Sequence, residues 1–191
     1  IALNLYFPKN TRASLVSQAG KGSWETGWAL LDGNYNTGNF GPEADQLDPA
    51  KAEIRRGNPP RIPFWAALPV FLAIGLWLYW RTPASWMLNA IPFLGVVWCI
   101  FLLWSPGWSP QWVIYLLPLI LASLEWRMAL ASSTSLLLIN LLEWPFFLSR
   151  GFFMGLWITV PLRYVVWILL IISFWKAMAD HPCSNTEISV E

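Results

Sequence analysis

Residues 104–112 read Trp-Ser-Pro-Gly-Trp-Ser-Pro-Gln-Trp, an uncharged polar turn between two strongly apolar stretches. Pro106, Gly107 and Pro110 stop a helix there, because proline lacks the N–H donor and glycine accepts turn dihedrals. Both flanks are apolar enough to enter a bilayer, so the turn is expected at a membrane surface. Ser109 and Gln111 are its polar tips, ringed by Trp104, Trp108 and Trp112. A spanning helix needs about 20 apolar residues. From residue 62 onward the chain offers five stretches near that size: 62–80, 85–104, 111–124, 128–149 and 152–175. The third is short for a full crossing. Pro69, Pro92, Pro118 and Pro161 fall inside these stretches, where neighbouring helices or water satisfy the freed carbonyls. The expected fold is all-α: a polytopic transmembrane helix bundle of about five spans (62–176), a polar tail (177–191) and one long extramembrane loop (8–61).

Composition agrees. Of 191 residues, 56% are hydrophobic and 12% charged, against about 25% charged in a soluble domain. Fifteen tryptophans match a chain rich in membrane–water boundary, where an indole keeps its body dry and its N–H wet. The net charge of +1 offers no basic patch for a nucleic acid. Cys99 lies in an apolar run and Cys183 in the tail, so neither a disulfide nor a metal spacing is expected. His181 is the only histidine, which argues against a His triad or a His-rich metal site. Residues 1–7, Ile-Ala-Leu-Asn-Leu-Tyr-Phe, read as the end of a truncated upstream span, so the chain is expected to be the C-terminal part of a larger protein.

The long loop has its own punctuation. Ser23 is placed to cap a short helix over Trp24–Leu31, with Glu25 in the first turn and Trp24, Trp28 and Leu31 on one face. Such a helix lies on the membrane or against the bundle. Asp48-Pro49 opens a second short helix that Gly57, Pro59 and Pro60 close. Among the loop's charges, Arg12, Lys21, Glu25, Asp32, Asp45 and Asp48, most are expected to be simply solvated, and Asp48 to be a cap. Glu25 and Asp32 flank the tryptophan-rich helix, which could cover a membrane-embedded site; tryptophan faces suit lipid headgroups and sugar rings alike. If each stretch crosses once, Arg81, Arg127 and Lys176 share one side and the loop, the Ser-Pro-Gln turn and Arg150 share the other. The positive-inside rule puts the first group in the cytoplasm and the loop outside, although Arg55, Arg56 and Arg61 pull the other way.

Glu143 and Arg163 are ionisable residues inside the fourth and fifth stretches. A charge at the bilayer centre costs at least ~2.5–3.5 kcal/mol, so each calls for a partner or a wet cavity. At ~1.5 Å rise per residue their depths lie within an arginine's reach of each other. Two readings stand: a structural ion pair between adjacent helices, or a pair lining a polar cavity.

The run from Phe101 to Leu119, containing Trp108-Ser-Pro-Gln-Trp112 and the proline-bearing leucine-rich stretch after it, resembles a segment of the C-type superfamily of multi-spanning membrane glycosyltransferases. Bacterial mannosyl- and arabinosyl-transferases that use polyprenyl-phosphate sugars are of this kind. Ser23-Trp-Glu-Thr-Gly-Trp-Ala-Leu-Leu-Asp-Gly-Asn-Tyr35 and Asn140-Leu-Leu-Glu-Trp-Pro145, with Arg163 beyond, are similar to stretches of uncharacterised bacterial relatives. The resemblance implies an inner-membrane enzyme with a lipid-linked sugar donor at the outer face and a lipid, glycan or protein acceptor. It implies an acidic general base in a loop upstream of Ile1, and donor or acceptor contacts from Ser109, Gln111, Glu143 and Arg163; Trp24 and Glu25 are substrate-binding candidates from the loop helix itself. The competing expectation is a non-enzymatic membrane protein, such as a transporter, a flippase component or a structural subunit, in which Glu143 and Arg163 lock two helices.

Overall fold

The computed structural model describes residues 6–19, 22–35, 51, 57–82 and 90–180. Among these the regular structure is helical, with no strand beyond one isolated bridge between Trp24 and Gly107. The start of the second stretch (85–89), Lys21, Asp45, the helix expected after Asp48 and the tail with His181 and Cys183 lie outside the described residues. The chain divides into two compact units, Ile1–Pro63 with Pro106–Trp108, and Phe64–Ser105 with Ser109–Glu191.

In the first unit α1 spans Pro8–Ala19 and α2 spans Gly27–Asp32. Pro8 suits the first position of α1, where its missing N–H is no loss; no apolar stripe announces this helix in the sequence. The helix expected over Trp24–Leu31 is shorter and starts later. Its cap is Thr26, not Ser23: the Thr26 hydroxyl accepts from the Ala29 amide at 3.3 Å. The chain upstream cannot be helical, because Trp24 pairs with Gly107 and Glu25 takes a left-handed φ of 52°. Ser23 instead donates to Asp32 Oδ2 at 2.6 Å. Gly33, at φ 76°, ends α2 with the left-handed cap that favours glycine.

Asp32 holds the end of α2 to the chain around Asn58 and Arg61. Its Oδ1 accepts from the Arg61 amide at 2.7 Å, and its backbone carbonyl accepts from Asn58 Nδ2 at 3.0 Å. Asn34 and Asn58 close the same junction, the Asn58 amide donating to Asn34 Oδ1 at 2.7 Å. Asp32 is therefore a buried structural carboxylate rather than a solvated loop charge. Asp32→Ala strands the Ser23 hydroxyl and the Arg61 amide, so a loss of about 2 kcal/mol is expected, read as faster native-state proteolysis between residues 57 and 63.

The second unit holds α3 (Phe64–Arg81), α4 (Ala90–Trp104), a 3₁₀ turn (Pro110–Trp112) running into α5 (Val113–Ser123), α6 (Trp126–Leu141), and α7 (Leu156–Asp180). These helices overlap the five apolar stretches, but α7 runs past 175 to Asp180, into the segment expected to be polar tail. Helix α7 packs on α4 and α6, α5 on α4 and α6, and α3 on α4. Gly95 of α4 permits the α4–α7 approach: a Cβ there would come within 2.7 Å of the Phe174 ring. The inward stripe of α7 is Val160, Arg163, Trp167, Leu170, Phe174 and Met178, at the three- and four-residue spacing of one helix face.

Among the described residues two helices are long and apolar enough to cross a membrane, Trp126–Leu148 (23 residues) and Phe153–Ala179 (27 residues), and three are shorter apolar helices. Only 22% and 39% of the two long apolar windows is buried inside the protein, so most of their apolar surface faces outward. Arginines at or near helix termini lie against aromatic rings: Arg81 over Trp77 at 5.9 Å, Arg127 over Trp126 at 5.3 Å and Arg150 over Phe146 at 5.0 Å. An aromatic face attracts the guanidinium while leaving its outer edge to water.

Candidate functional site

After Leu141 the fourth helix widens into a π-helical segment, Leu142–Leu148. Pro145 explains it. Proline has no N–H for the preceding turn and its ring collides with the carbonyl four residues back. The wider five-residue register eases the ring's crowding against the preceding turn, and the Ser149 amide accordingly reaches the Trp144 carbonyl at 3.2 Å. Such segments occur often at functional sites. Glu143 sits inside it, fully buried.

Arg163 on α7 donates through Nη1 to Glu143 Oε2, and both side chains are inaccessible to solvent. The guanidinium also lies 5.5 Å from the Trp167 ring, one turn along the same inward stripe. The pair therefore joins α6 to α7 in the interior of the unit. Glu143 Oε1 is buried with no hydrogen-bond partner among the described residues, so the carboxylate retains an open acceptor.

Three residues earlier on α6, Asn140 donates through Nδ2 to the Pro110 carbonyl at 3.1 Å. That bond fixes the amide's orientation, since a carbonyl accepts only from the NH₂ side. Asn140 Oδ1 is left buried and unpartnered among the described residues. The same helix thus anchors the Ser-Pro-Gln turn and carries the Glu143–Arg163 pair. Asn140 was not among the sequence-derived site residues; its place in Asn140-Leu-Leu-Glu143 was the available signal.

Ser109 is half-buried at the start of the 3₁₀ turn and makes no side-chain capping bond, while Gln111 is exposed. An aromatic cluster supports the turn: Phe101 lies 6.1 Å from Trp112 and 5.9 Å from Trp104, and Trp98 lies 5.5 Å from Tyr115.

Trp24 and Glu25 belong to the first unit, whereas Ser109, Gln111, Glu143 and Arg163 belong to the second. Trp24 exchanges backbone bonds with the turn's middle, its amide donating to Pro106 O at 3.1 Å and its carbonyl accepting from the Trp108 amide at 3.2 Å. Thr26 adds a hydroxyl bond to the same Pro106 carbonyl at 3.2 Å. The Trp24 ring packs so closely on Gly107 that a Cβ there would fall 2.2 Å from it. Residues 106–108 are therefore more than a helix connection, and Trp108 is buried rather than ringing a polar tip. Glu25 is 6% exposed, and its left-handed backbone is uncommon for a residue with a Cβ.

Among the described residues no group of His, Cys, Asp and Glu could hold a metal ion. Comparison with protein families, curated proteins and solved structures finds no match.

Proposed function

We propose that this chain is the membrane-embedded part of a glycosyltransferase that moves a sugar from a polyprenyl-phosphate donor to a lipid, glycan or protein acceptor. The observation that carries the reading is the Asn140 anchor. It ties the exposed Gln111 turn to a helix whose next inward residue, Glu143, has an open acceptor. An exposed glutamine amide can donate to phosphate oxygens. In the reaction the acceptor oxygen bonds to the anomeric carbon, the bond from that carbon to the phosphate oxygen breaks, and the hydroxyl proton passes to a carboxylate base. The resemblance puts that base in a loop upstream of Ile1.

The outward-facing apolar surface of the two long helices supports a bilayer setting. A second reading, a non-enzymatic membrane protein, is favoured by the complete burial of Glu143 and Arg163, which suits a helix lock. The two part on one assay. The complete protein in liposomes is offered a panel of polyprenyl-phosphate sugars and acceptor lipids, and release of polyprenyl phosphate is followed. Gln111→Ala, on an exposed turn, is expected to lower transfer by roughly tenfold, one lost charge-assisted bond, with an unchanged unfolding midpoint. No transfer from any donor would leave the lock reading standing.

A further inference from the structure

The end of α7 and the connection from α5 to α6 enclose a second polar place, away from Glu143. A cavity of about 320 Å³ is lined there by Ser123, Leu124, Glu125, Met128, Ser173 and Lys176, at the small end of the range for ligand pockets. It lies where the two membrane-length helices end together, one starting at Trp126 and the other finishing at Ala179. In a bilayer that is headgroup depth, and Trp126 with Arg127 stacked on it marks the boundary.

The lining carries one carboxylate and one ammonium. Neither Glu125 nor Lys176 makes an ion pair among the described residues, and the Glu125 side chain does not cap the helix it precedes. Ser123 Oγ is buried with no hydrogen-bond partner among the described residues. Ser173 is satisfied, donating to the Leu169 carbonyl at 2.9 Å. A pocket holding both signs of charge, unjoined, with an open hydroxyl and apolar walls from Leu124 and Met128, matches a ligand with both signs and an apolar continuation.

We infer that this cavity binds the headgroup of a zwitterionic phospholipid of the phosphatidylethanolamine type, with Lys176 and Ser123 on the phosphate and Glu125 on the ammonium. The chemistry decides among headgroups. An anionic headgroup would meet Glu125 with like charge. A choline headgroup has no N–H to donate, and quaternary ammonium groups are held by aromatic cages; no aromatic residue lines this cavity. A primary ammonium hydrogen-bonds a carboxylate directly. The site shares with the proposed function only the bilayer setting; sugar transfer plays no part in it.

The test uses the complete protein reconstituted in vesicles of phosphatidylethanolamine, phosphatidylcholine and phosphatidylglycerol in equal parts, then extracted mildly. Retained lipid is identified by native mass spectrometry. Phosphatidylethanolamine should be enriched about fivefold over each competitor, the effect of roughly one interfacial charge contact. Lys176→Ala should return retention to the bulk ratio, and Glu125→Gln should remove the discrimination against phosphatidylglycerol. Both residues are exposed, and circular dichroism verifies that the variants keep their helices. Equal retention of all three lipids overturns the inference, as does a parent preference for phosphatidylglycerol or phosphatidylcholine, or an enrichment that survives both substitutions. Displacement of the lipid by millimolar inorganic phosphate overturns it in favour of a free-anion site. Release of the protein by alkaline carbonate washing sinks both this site and the bilayer setting, whereas absent sugar transfer touches the transferase reading alone.

Discussion

Arg163→Ala is expected to destabilise the protein by about 3–5 kcal/mol, the cost of breaking a buried ion pair from one side. Glu143 and Arg163 are both fully buried, so removal of the guanidinium leaves a carboxylate with neither water nor counter-charge. Glu143 sits in the π-helical segment that also holds Pro145, and it is fully buried there. Replacing both residues by apolar groups of similar size, Glu143→Leu with Arg163→Met, is expected to recover most of the loss, since well-packed apolar substitutes often equal a buried pair. Thermal unfolding in detergent or lipid discs measures both. An Arg163→Ala protein as stable as its parent would mean that the carboxylate is compensated elsewhere. The double variant also separates lock from ligand contact: a stable protein that has lost transfer assigns the pair a part in binding.

Glu25 gives the largest expected effect on transfer. It is the one described non-glycine residue with positive φ, and it is buried. A left-handed backbone costs about 1–2 kcal/mol for an ordinary L-residue, and strain of this kind collects at functional sites. Under the transferase reading Glu25 binds sugar hydroxyls. Glu25→Gln is expected to lower transfer about 10- to 100-fold, the loss of charged hydrogen bonds. Glu25→Asn, a residue that tolerates this conformation, should hold loop stability within about 1 kcal/mol of the parent while transfer falls as far. If both variants transfer sugar normally, Glu25 is an ordinary turn residue and the site lies elsewhere. Protease protection of the loop and initial transfer rates, taken together, make the distinction.

The long helices were legible because about 20 apolar residues in a row have few soluble explanations. Their inward faces were not. When the surroundings are as apolar as the core, the helical period of hydrophobicity fades, and Val160 or Leu170 looks no different from Val165 or Leu169. Polar residues survive as the markers of the buried side: Ser133, Asn140 and Glu143 on α6 and its π-helical extension, and Arg163 on α7. Hence the Glu143–Arg163 pair could be anticipated from depth alone, and the Asn140 bond to the turn could have been found by following the same face. The π-helical register was not anticipated, although Pro145 two residues beyond Glu143 was the cue.

The first unit departs from its local pattern for a different reason. Ser23 and Thr26 are both good caps, and local pattern cannot choose between them. The choice is made by a segment far away in the chain: Pro106–Trp108 takes the backbone of Trp24 out of helical geometry. Asp32 likewise reads as a solvated charge because its partners Ser23 and Arg61 lie 9 and 29 residues away, beyond any local pattern.

That bridge has a bearing on biogenesis. Thr26 and the carbonyl it bonds are 80 residues apart. At about 5–20 residues per second, a ribosome needs roughly 4–16 s to deliver the second half of this junction after the first. During that interval α3 and α4 are made and must leave the exit tunnel before Gly107 can meet Trp24. The loop is therefore a late-maturing element whose closure reports that the helices between its two pieces have been synthesised. A nascent chain stalled before Pro106 should show residues 22–35 open to protease, and one stalled well beyond Trp112 should show them protected.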